Sequence, residues 1–365
     1  MLIINDDDVQ RLLPMEEAIR AMEESYREVA EGKAKNLPRM RIRTKPESEN
    51  LTYFFNCIPG LLPSRGVMAV RLDSIVREFR KERSTGRMAG DQYCGSVILY
   101  SLKTGEPLAV VADFSLSGIR VGATTAVAVN YMARKNSERV ALFGSGKQAR
   151  TNLEAVSKVR KLTEVRVYSP NPEHRRLFAE EMTPLIGAEI IPVDAPSKAI
   201  EGADIILCMA NSMSPVFDGT SLRPGTHVAS ISAGRDRAAT EVSGMVRREI
   251  DDATLERSAL IVISSKEQIS WDEQKELDGQ RGAKDGDWGK VVELGDLLTK
   301  KVSGRRNDDE INLYASNTGT GNQFAAAGAI VYEKAKAQGI GRELPTEWLM
   351  TSVKKWSDRG IYPSP

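Results

Sequence analysis

ALFGSGKQARTNLEA, residues 141–155, decides how the rest of this 365-residue chain is read. An apolar, strand-like run ending at Phe143 leads directly into Gly144-Ser145-Gly146-Lys147-Gln148-Ala149, a G-x-G-x-x-A pattern, and Ala149, Leu153, Val156 and Val159 then fall on one helical face. The first glycine permits a tight turn, the second lets a pyrophosphate approach the backbone, and the small sixth residue lets the helix pack on the strand. Free amides at the start of that helix are the natural receptor for phosphate. From Arg139 onward, strand-like segments (RVALF, EVRVYS, AEIIPVD, DIILCMA, HVASISA, LIVISS) alternate with helical or loop stretches. That alternation predicts an α/β fold with a Rossmann-type, doubly wound parallel sheet covered on both faces.

In such sheets the ligand lies beyond the carboxyl ends of the strands. The expected cofactor contacts are therefore Gly144 through Ala149, then Ser169, Asn171 and Arg175 after the second strand, Ala210, Asn211 and Ser212 after the fourth, and Ser232 after the fifth. The second strand ends Tyr168-Ser169-Pro170-Asn171 and shows no acid before Glu173. An NAD site normally places a carboxylate there to hold the ribose hydroxyls, whereas Ser169, Asn171 and Arg175 or Arg176 suit a 2′-phosphate, so NADP(H) is expected ahead of NAD(H). Asp236, just after Gly234 in ISAGRDRAATE, stands where an ionisable group could face the nicotinamide, or could simply cap a helix.

Ahead of the glycine motif the pattern is different. After Pro14, Ile19, Met22, Tyr26 and Val29 recur at helical spacing up to Gly32, predicting an amphipathic helix of about four turns at ~3.6 residues per turn. RMRIRTK, LTYFFNCIPG and GVMAVRLDS read as strands, SVILYSLKTGEPLAVVAD as a hairpin turning at Thr104-Gly105, and the charged run Ser74–Gln92 as a long surface loop. A helix follows Asp113, with Ser117 as its expected cap, and a Gly/Ala-rich helix follows Asn317 and is positioned to return to the first lobe. No internal repeat is visible.

Composition narrows the function. Fifty-one basic residues against 50 acidic ones give no field that would gather nucleic acid or an anionic membrane. No apolar run reaches the ~18 residues of a spanning helix, and MLIINDDDVQ lacks the basic and apolar regions of a signal peptide, so a soluble cytoplasmic protein with a small-molecule partner is expected. Cys57, Cys94 and Cys208 are too dispersed for a disulfide framework, and His174 and His227 too few for a histidine metal site. Neither histidine is well placed as a dehydrogenase acid/base, and Tyr131-x-x-x-Lys135 lies upstream of the glycines, where the short-chain dehydrogenase motif would have to lie downstream. The chemistry is left to carboxylate and arginine.

Four arginines stand out. Arg120, near a helix start, opposes the helix dipole unless an anion offsets it. Arg71 lies mid-strand among apolar neighbours and needs a partner. Arg41 and Arg43 share one strand face with Arg39, which is either a solvated edge or part of a carboxylate-binding set.

With these residues in place, the chain resembles the ornithine cyclodeaminase/mu-crystallin family over nearly its whole length. The likeness rests on DDDVQRLLPMEEAIRAMEESYREVAEGKAKNLPR, KTGEPLAVVADFSLSGIRVGATTAVA, GSGKQA, VYSPNPEHRRLFAEEM and AGRDRAATEV. It implies a Rossmann dinucleotide-binding domain, residues 118–316, beside a substrate-binding and dimerisation domain built from residues 1–117 and 317–365. It also implies a homodimer. Arg120 matches the family's carboxylate-gripping arginine, Asp236 its catalytic aspartate, and Arg41, with Arg43 as rival, the arginine of the early strand. The family's usual lysine is Arg71 here, its threonine after the arginine is Val121, and NCIPG lacks the usual methionine before proline. Arginine at 71 keeps an anchor for a carboxylate but cannot donate a proton. The implied activity is NAD(P)-dependent oxidoreduction at the C–N bond of an amino or imino acid. A cyclodeaminase lyase with catalytic NAD and a non-enzymatic binder of small carboxylates are the alternatives.

Overall fold

The computed structural model describes residues 1–44, 51–80, 83–88, 93–210, 212, 214–232, 248–272, 277 and 289–352. Two sheets organise it. The first takes β1 (Leu2–Ile4), β2 (Lys35–Asn36), β3 (Met40–Thr44), β4 (Leu51–Leu62), β5 (Val67–Arg80), β6 (Arg83–Met88), β7 (Cys94–Ser101), β8 (Pro107–Ala112) and, from the far end of the chain, β17 (Arg342–Glu343). Its order is β17-β1-β8-β7-β5-β4-β2, with β3 on β4 and β6 on β5. The second takes β9 (Arg139–Phe143), β10 (Glu164–Tyr168), β11 (Glu189–Pro192), β12 (Ile205–Cys208), β13 (His227–Ser230), β14 (Leu260–Ile263), β15 (Val291–Glu293) and β16 (Asn312–Ala315). Its order is β11-β10-β9-β12-β13-β16-β14-β15, parallel throughout, as the strand–helix alternation requires.

The helices are α1 (Asp6–Leu12), α2 (Met15–Ala30), α3 (Phe114–Met132), α4 (Lys147–Ser157), α5 (Pro172–Ile186), α6 (Pro196–Ile200), α7 (Asp252–Arg257), α8 (Lys266–Trp271), α9 (Leu294–Leu298) and α10 (Gly321–Gln338). The amphipathic pattern after Pro14 becomes α2, which buries Ala18, Ile19, Met22 and Tyr26. α3 lies between the two sheets, buried on nearly every side. It crosses α4 so closely that a Cβ on Gly122 would come within 2.3 Å of the Thr151 carbonyl oxygen. α10 returns to the first sheet and packs on α2, β4 and β5. At its start, a Cβ on Gly321 would meet the Pro59 carbonyl oxygen at 2.2 Å. No helix among the described residues is long and apolar enough to cross a membrane.

Two expectations are corrected. Within Ser74–Gln92, β5 continues to Arg80 and pairs with β6, so the described part of the charged run is a two-stranded ribbon and not a loop. Its backbone pairing is carried by β4, whose register with β5 runs from Leu62↔Val67 to Leu51↔Glu78, and so requires no apolar periodicity of its own. The second correction concerns α3, which begins at Phe114 with Asp113 in the cap position and Ser117 inside its first turns. The hairpin, by contrast, forms as expected, with Gly105 at φ +73° in its turn. The sequence pattern did not show α1, β15 or β16, because segments of three to seven residues are too short for a period to emerge.

Candidate active site

The carboxyl ends of β9, β10 and β12 open onto a cleft of about 850 Å³ lined by Gly144–Gln148, Ser169, Ala210 and Ser212, among others. Gly144 sits at φ +108°, and a Cβ there would be 2.6 Å from the Met209 carbonyl oxygen. Here the glycine is required by the protein itself. Gly146 is different: a Cβ there would meet no protein atom within 4 Å, so the protein's own packing does not require the glycine and the space beside it is open to the cleft. No side chain caps the first amides of α4, and Ala149 is fully buried behind them. A missing side chain over uncapped helix amides is the cradle a dinucleotide pyrophosphate fits.

At the end of β10, Ser169 Oγ accepts from Ser145 Oγ at 3.1 Å and the Ser169 carbonyl accepts from Arg175 Nη1 at 2.8 Å. Asn171 caps α5 through its side-chain oxygen. Arg176 pairs with Glu173 and Glu180 on the outer face of α5, which leaves Arg175 as the guanidinium at the strand end. Ser232 lies two residues past β13, its carbonyl accepting from the Glu249 amide. Asn211 and Asp236 lie outside the described residues.

The arginines are built by the first sheet and α3. On β5 the inward row runs Val67, Ala69, Arg71, Asp73, Ile75, turning from apolar to ionic in its middle. Arg71 Nε donates to Asp113 Oδ2 at 2.8 Å, Nη1 pairs with Asp73 Oδ2 at 2.7 Å, and Nη2 donates to the Tyr93 hydroxyl at 2.6 Å. Tyr93 in turn donates to Asp113 Oδ2 at 2.8 Å. Burial works against the Arg71 charge, but Asp113, Tyr93 and Asp73 outweigh it and hold the guanidinium above arginine's usual range. Asp113 is placed by its amide, which donates to the Gly95 carbonyl, and its Oδ1 has no hydrogen-bond partner among the described residues.

Arg120 sits in the second turn of α3 and is 9% exposed. Its Nη1 donates to Gln323 Oε1 at 2.9 Å and its Nη2 to Ser117 Oγ at 3.4 Å. Gln323 Nε2 donates to Thr124 Oγ1, which donates back to the Arg120 carbonyl, so α10 fixes the arginine from two sides. Burial first, and the nearby Arg71 second, pull its pKa down to about 10. Its Nε is buried without a partner among the described residues. A buried guanidinium with an unused donor is a receptor for an anion.

Arg41 and Arg43 occupy alternate positions of β3, half-buried, opposite Asn56 and Phe54 of β4, and the Arg43 guanidinium lies 5.4 Å from the Phe54 ring centroid. Lys147 reaches from the glycine loop to α3, where Nζ donates to the Phe114 carbonyl at 3.0 Å. The sequence pattern did not single out Asp73, Asp113, Tyr93, Gln323 or Phe324. Asp73, two residues from Arg71 and therefore on the same strand face, and the T-x-x-Q capping box at Thr320–Gln323 were the available signals. His227 is fully buried, bonded through Nδ1 to Asn312 Oδ1 at 2.6 Å, and burial lowers its pKa to about 3; it is a neutral core group. Tyr131 donates to Glu23 at 2.7 Å, away from the cleft residues.

The model of the ornithine cyclodeaminase/mu-crystallin family matches residues 2–339. A Δ(1)-pyrroline-2-carboxylate reductase of Bacillus cereus is 30% identical over 253 residues, 68% of this chain and 74% of that one. A structure of the Thermococcus litoralis Δ(1)-pyrroline-2-carboxylate reductase, solved with NADH and L-proline, is 31% identical, covers 94% of this chain and 100% of that chain, and superposes with a TM-score of 0.80. A dimeric archaeal alanine dehydrogenase with bound NAD shares the fold at 24% identity, with a TM-score of 0.76 over 94% of this chain and 99% of that one.

Proposed function

Because the chain belongs to the ornithine cyclodeaminase/mu-crystallin family, we propose that it is a nicotinamide-dependent oxidoreductase acting at the Cα–N bond of an amino or imino acid. The observation that carries this reading is Arg120, a buried guanidinium with an unused Nε on the α3 segment that lies against the dinucleotide loop. The relatives named above reduce an imino acid or oxidise an amino acid, and the Thermococcus enzyme was solved with L-proline.

In this proposal Arg120 grips the substrate carboxylate, with Arg41 or Arg43 reaching in from β3. Arg71, held by Asp73, Asp113 and Tyr93, forms the charged floor of the site. Asp236 exchanges a proton with the substrate nitrogen. A bound dihydronicotinamide supplies the hydride. The division into a dinucleotide domain of residues 118–316 and a substrate domain from the two chain ends belongs to the same reading. So does a homodimer, supported by Leu37 in the β2–β3 connection and Met40 and Ile42 of β3, which are 61%, 41% and 66% exposed, and tested by light scattering.

The cofactor proposed is NADP(H) in preference to NAD(H). Arg175 is anchored at the end of β10, Arg176 pairs with Glu173, and among the described residues the strand end itself carries no carboxylate for ribose hydroxyls. Dissociation constants for NADPH and NADH on parent and Arg175→Ala test this. The variant is expected to lose about tenfold for NADPH and little for NADH, and tighter NADH binding by the parent overturns the preference. The activity is tested by a turnover screen of cyclic imino acids, keto acids with amines, and amino acids in reverse. Net NADPH or NADH consumption supports the reading. Ammonia release without net consumption would mark a cyclodeaminase instead, and binding without turnover a carrier.

A further inference from the structure

We propose that Lys147 is a second catalytic residue of this site, its ammonium giving the proton that turns the imine into the iminium before hydride arrives, while Asp236 exchanges the proton of the product amine. The proposal rests on the imino-acid reading above and extends it to a residue that a phosphate cradle would not need.

Lys147 is the first residue of α4, on the wall of the cleft. A cation there opposes the helix dipole, and the pyrophosphate needs only backbone amides. The side chain spans to α3, where Nζ donates to the Phe114 carbonyl at 3.0 Å and lies 3.6 Å from the Phe114 ring centroid. The Lys147 stem lies along Gly118 of α3, where a Cβ would stand in ordinary contact at 3.6 Å from its Cγ and Cδ. The carbonyl that Nζ bonds belongs to the residue following Asp113, whose Oδ1 is fully buried with no partner among the described residues. The Phe114 ring meets Tyr93 edge-on at 5.5 Å, which joins Lys147 to the Arg71 cluster.

The charges facing Lys147 are Asp113 and Asp6, which favour its protonated form, and Arg120 and Arg71, which disfavour it. Burial is the strongest influence, and its pKa falls to about 8. Such a group is an ammonium at neutral pH and still releases its proton, whereas the arginines of the same site stay charged.

The step balances as follows. The imine nitrogen lone pair takes a proton from Lys147: an N–H bond forms, an Nζ–H bond breaks, and that pair remains on Nζ. The iminium carbon then accepts a hydride with its two electrons from the dihydronicotinamide, the C=N π pair becomes the nitrogen lone pair, and neutral Lys147 regains a proton from water at the cleft.

Two measurements test this. The first uses cofactor-free protein, with ¹³C reductive methylation of lysines and titration by NMR. The resonance lost in Lys147→Arg should titrate with a midpoint near 8, and a midpoint near the ordinary ~10.4 overturns the proposal. The second compares imine reduction by parent, Lys147→Arg and Lys147→Met. Arginine should restore NADPH affinity but leave turnover reduced by about 10²-fold or more, with the basic limb near pH 8 gone from the profile. If Lys147→Met only raises the NADPH dissociation constant and keeps the parent's pH profile, Lys147 is a phosphate contact and the proposal fails. Absence of imine turnover in the parent overturns the functional reading, and with it the proton's destination, whatever the lysine titration shows.

Discussion

The guanidinium carbons of Arg71 and Arg120 lie 5.6 and 4.7 Å from the centroid of one ring, that of Phe324. Two like charges share this buried aromatic because they are neutralised differently. Arg71 is enclosed by Asp73 and Asp113, while among the described residues Arg120 donates to neutral oxygens and keeps its Nε unused. The ring's negative face attracts both cations. The consequence is a difference between the two: Arg71 is neutralised by carboxylates of the fold, and Arg120 keeps its Nε unused among the described residues.

That difference sets the first expectation. Arg120→Ala removes a charge-assisted contact of about 1.5–3 kcal/mol, so the Michaelis constant for a carboxylate substrate should rise roughly 10- to 100-fold. Cofactor affinity should hold. Steady-state kinetics and a cofactor titration check it, and an unaltered Michaelis constant would remove Arg120 from substrate binding.

Asp113→Ala should act on stability. It withdraws one of the two carboxylates around Arg71, leaving a guanidinium that is 7% exposed only partly compensated, and breaking a buried pair this way costs about 3–5 kcal/mol. Urea unfolding should show the midpoint falling to match. A midpoint within experimental error of the parent would mean that Arg71 does not depend on Asp113.

Gly144→Ala and Gly146→Ala form a contrasting pair. The first forces a Cβ to within 2.6 Å of the Met209 carbonyl at φ +108°, and should lower the melting temperature. The second meets nothing in the protein, so stability should stay near the parent's while NADPH binding weakens more than tenfold. Equal effects of the two on stability would refute this account of the loop.

Acid should destabilise the protein through His227. Its pKa is about 3 when folded and ordinarily ~6.5 when unfolded, so the unfolded chain takes up the proton first as pH falls. Stability is unaffected by this group above about pH 6.5, declines progressively below it, and levels off near pH 3. At pH 5 the loss should be about 2 kcal/mol. Comparing urea midpoints of parent and His227→Gln at pH 7.5 and 5 isolates it, and an equal decline in both proteins would exclude His227.

The sequence by itself determined the dinucleotide half. The glycine loop, the helix behind it and the first strands of the parallel sheet are local patterns, each fixed by residues a few positions apart, and the structure reproduces them. It also marked Arg71 and Arg120, because a charge in an apolar strand or near a helix start violates a local rule. Tertiary structure alone decided what those arginines meet. Asp113 reaches Arg71 across 42 positions and Gln323 reaches Arg120 across 203, and no period or spacing encodes such pairs. The charged ribbon likewise forms because β5 finds backbone partners in β4 and β6, while its sequence carries no apolar pattern that would announce a strand. Local chemistry fixed the bare glycine loop at the start of α4, and the packing of distant segments fixed that Arg71 is enclosed by carboxylates while Arg120 keeps its Nε unused among the described residues.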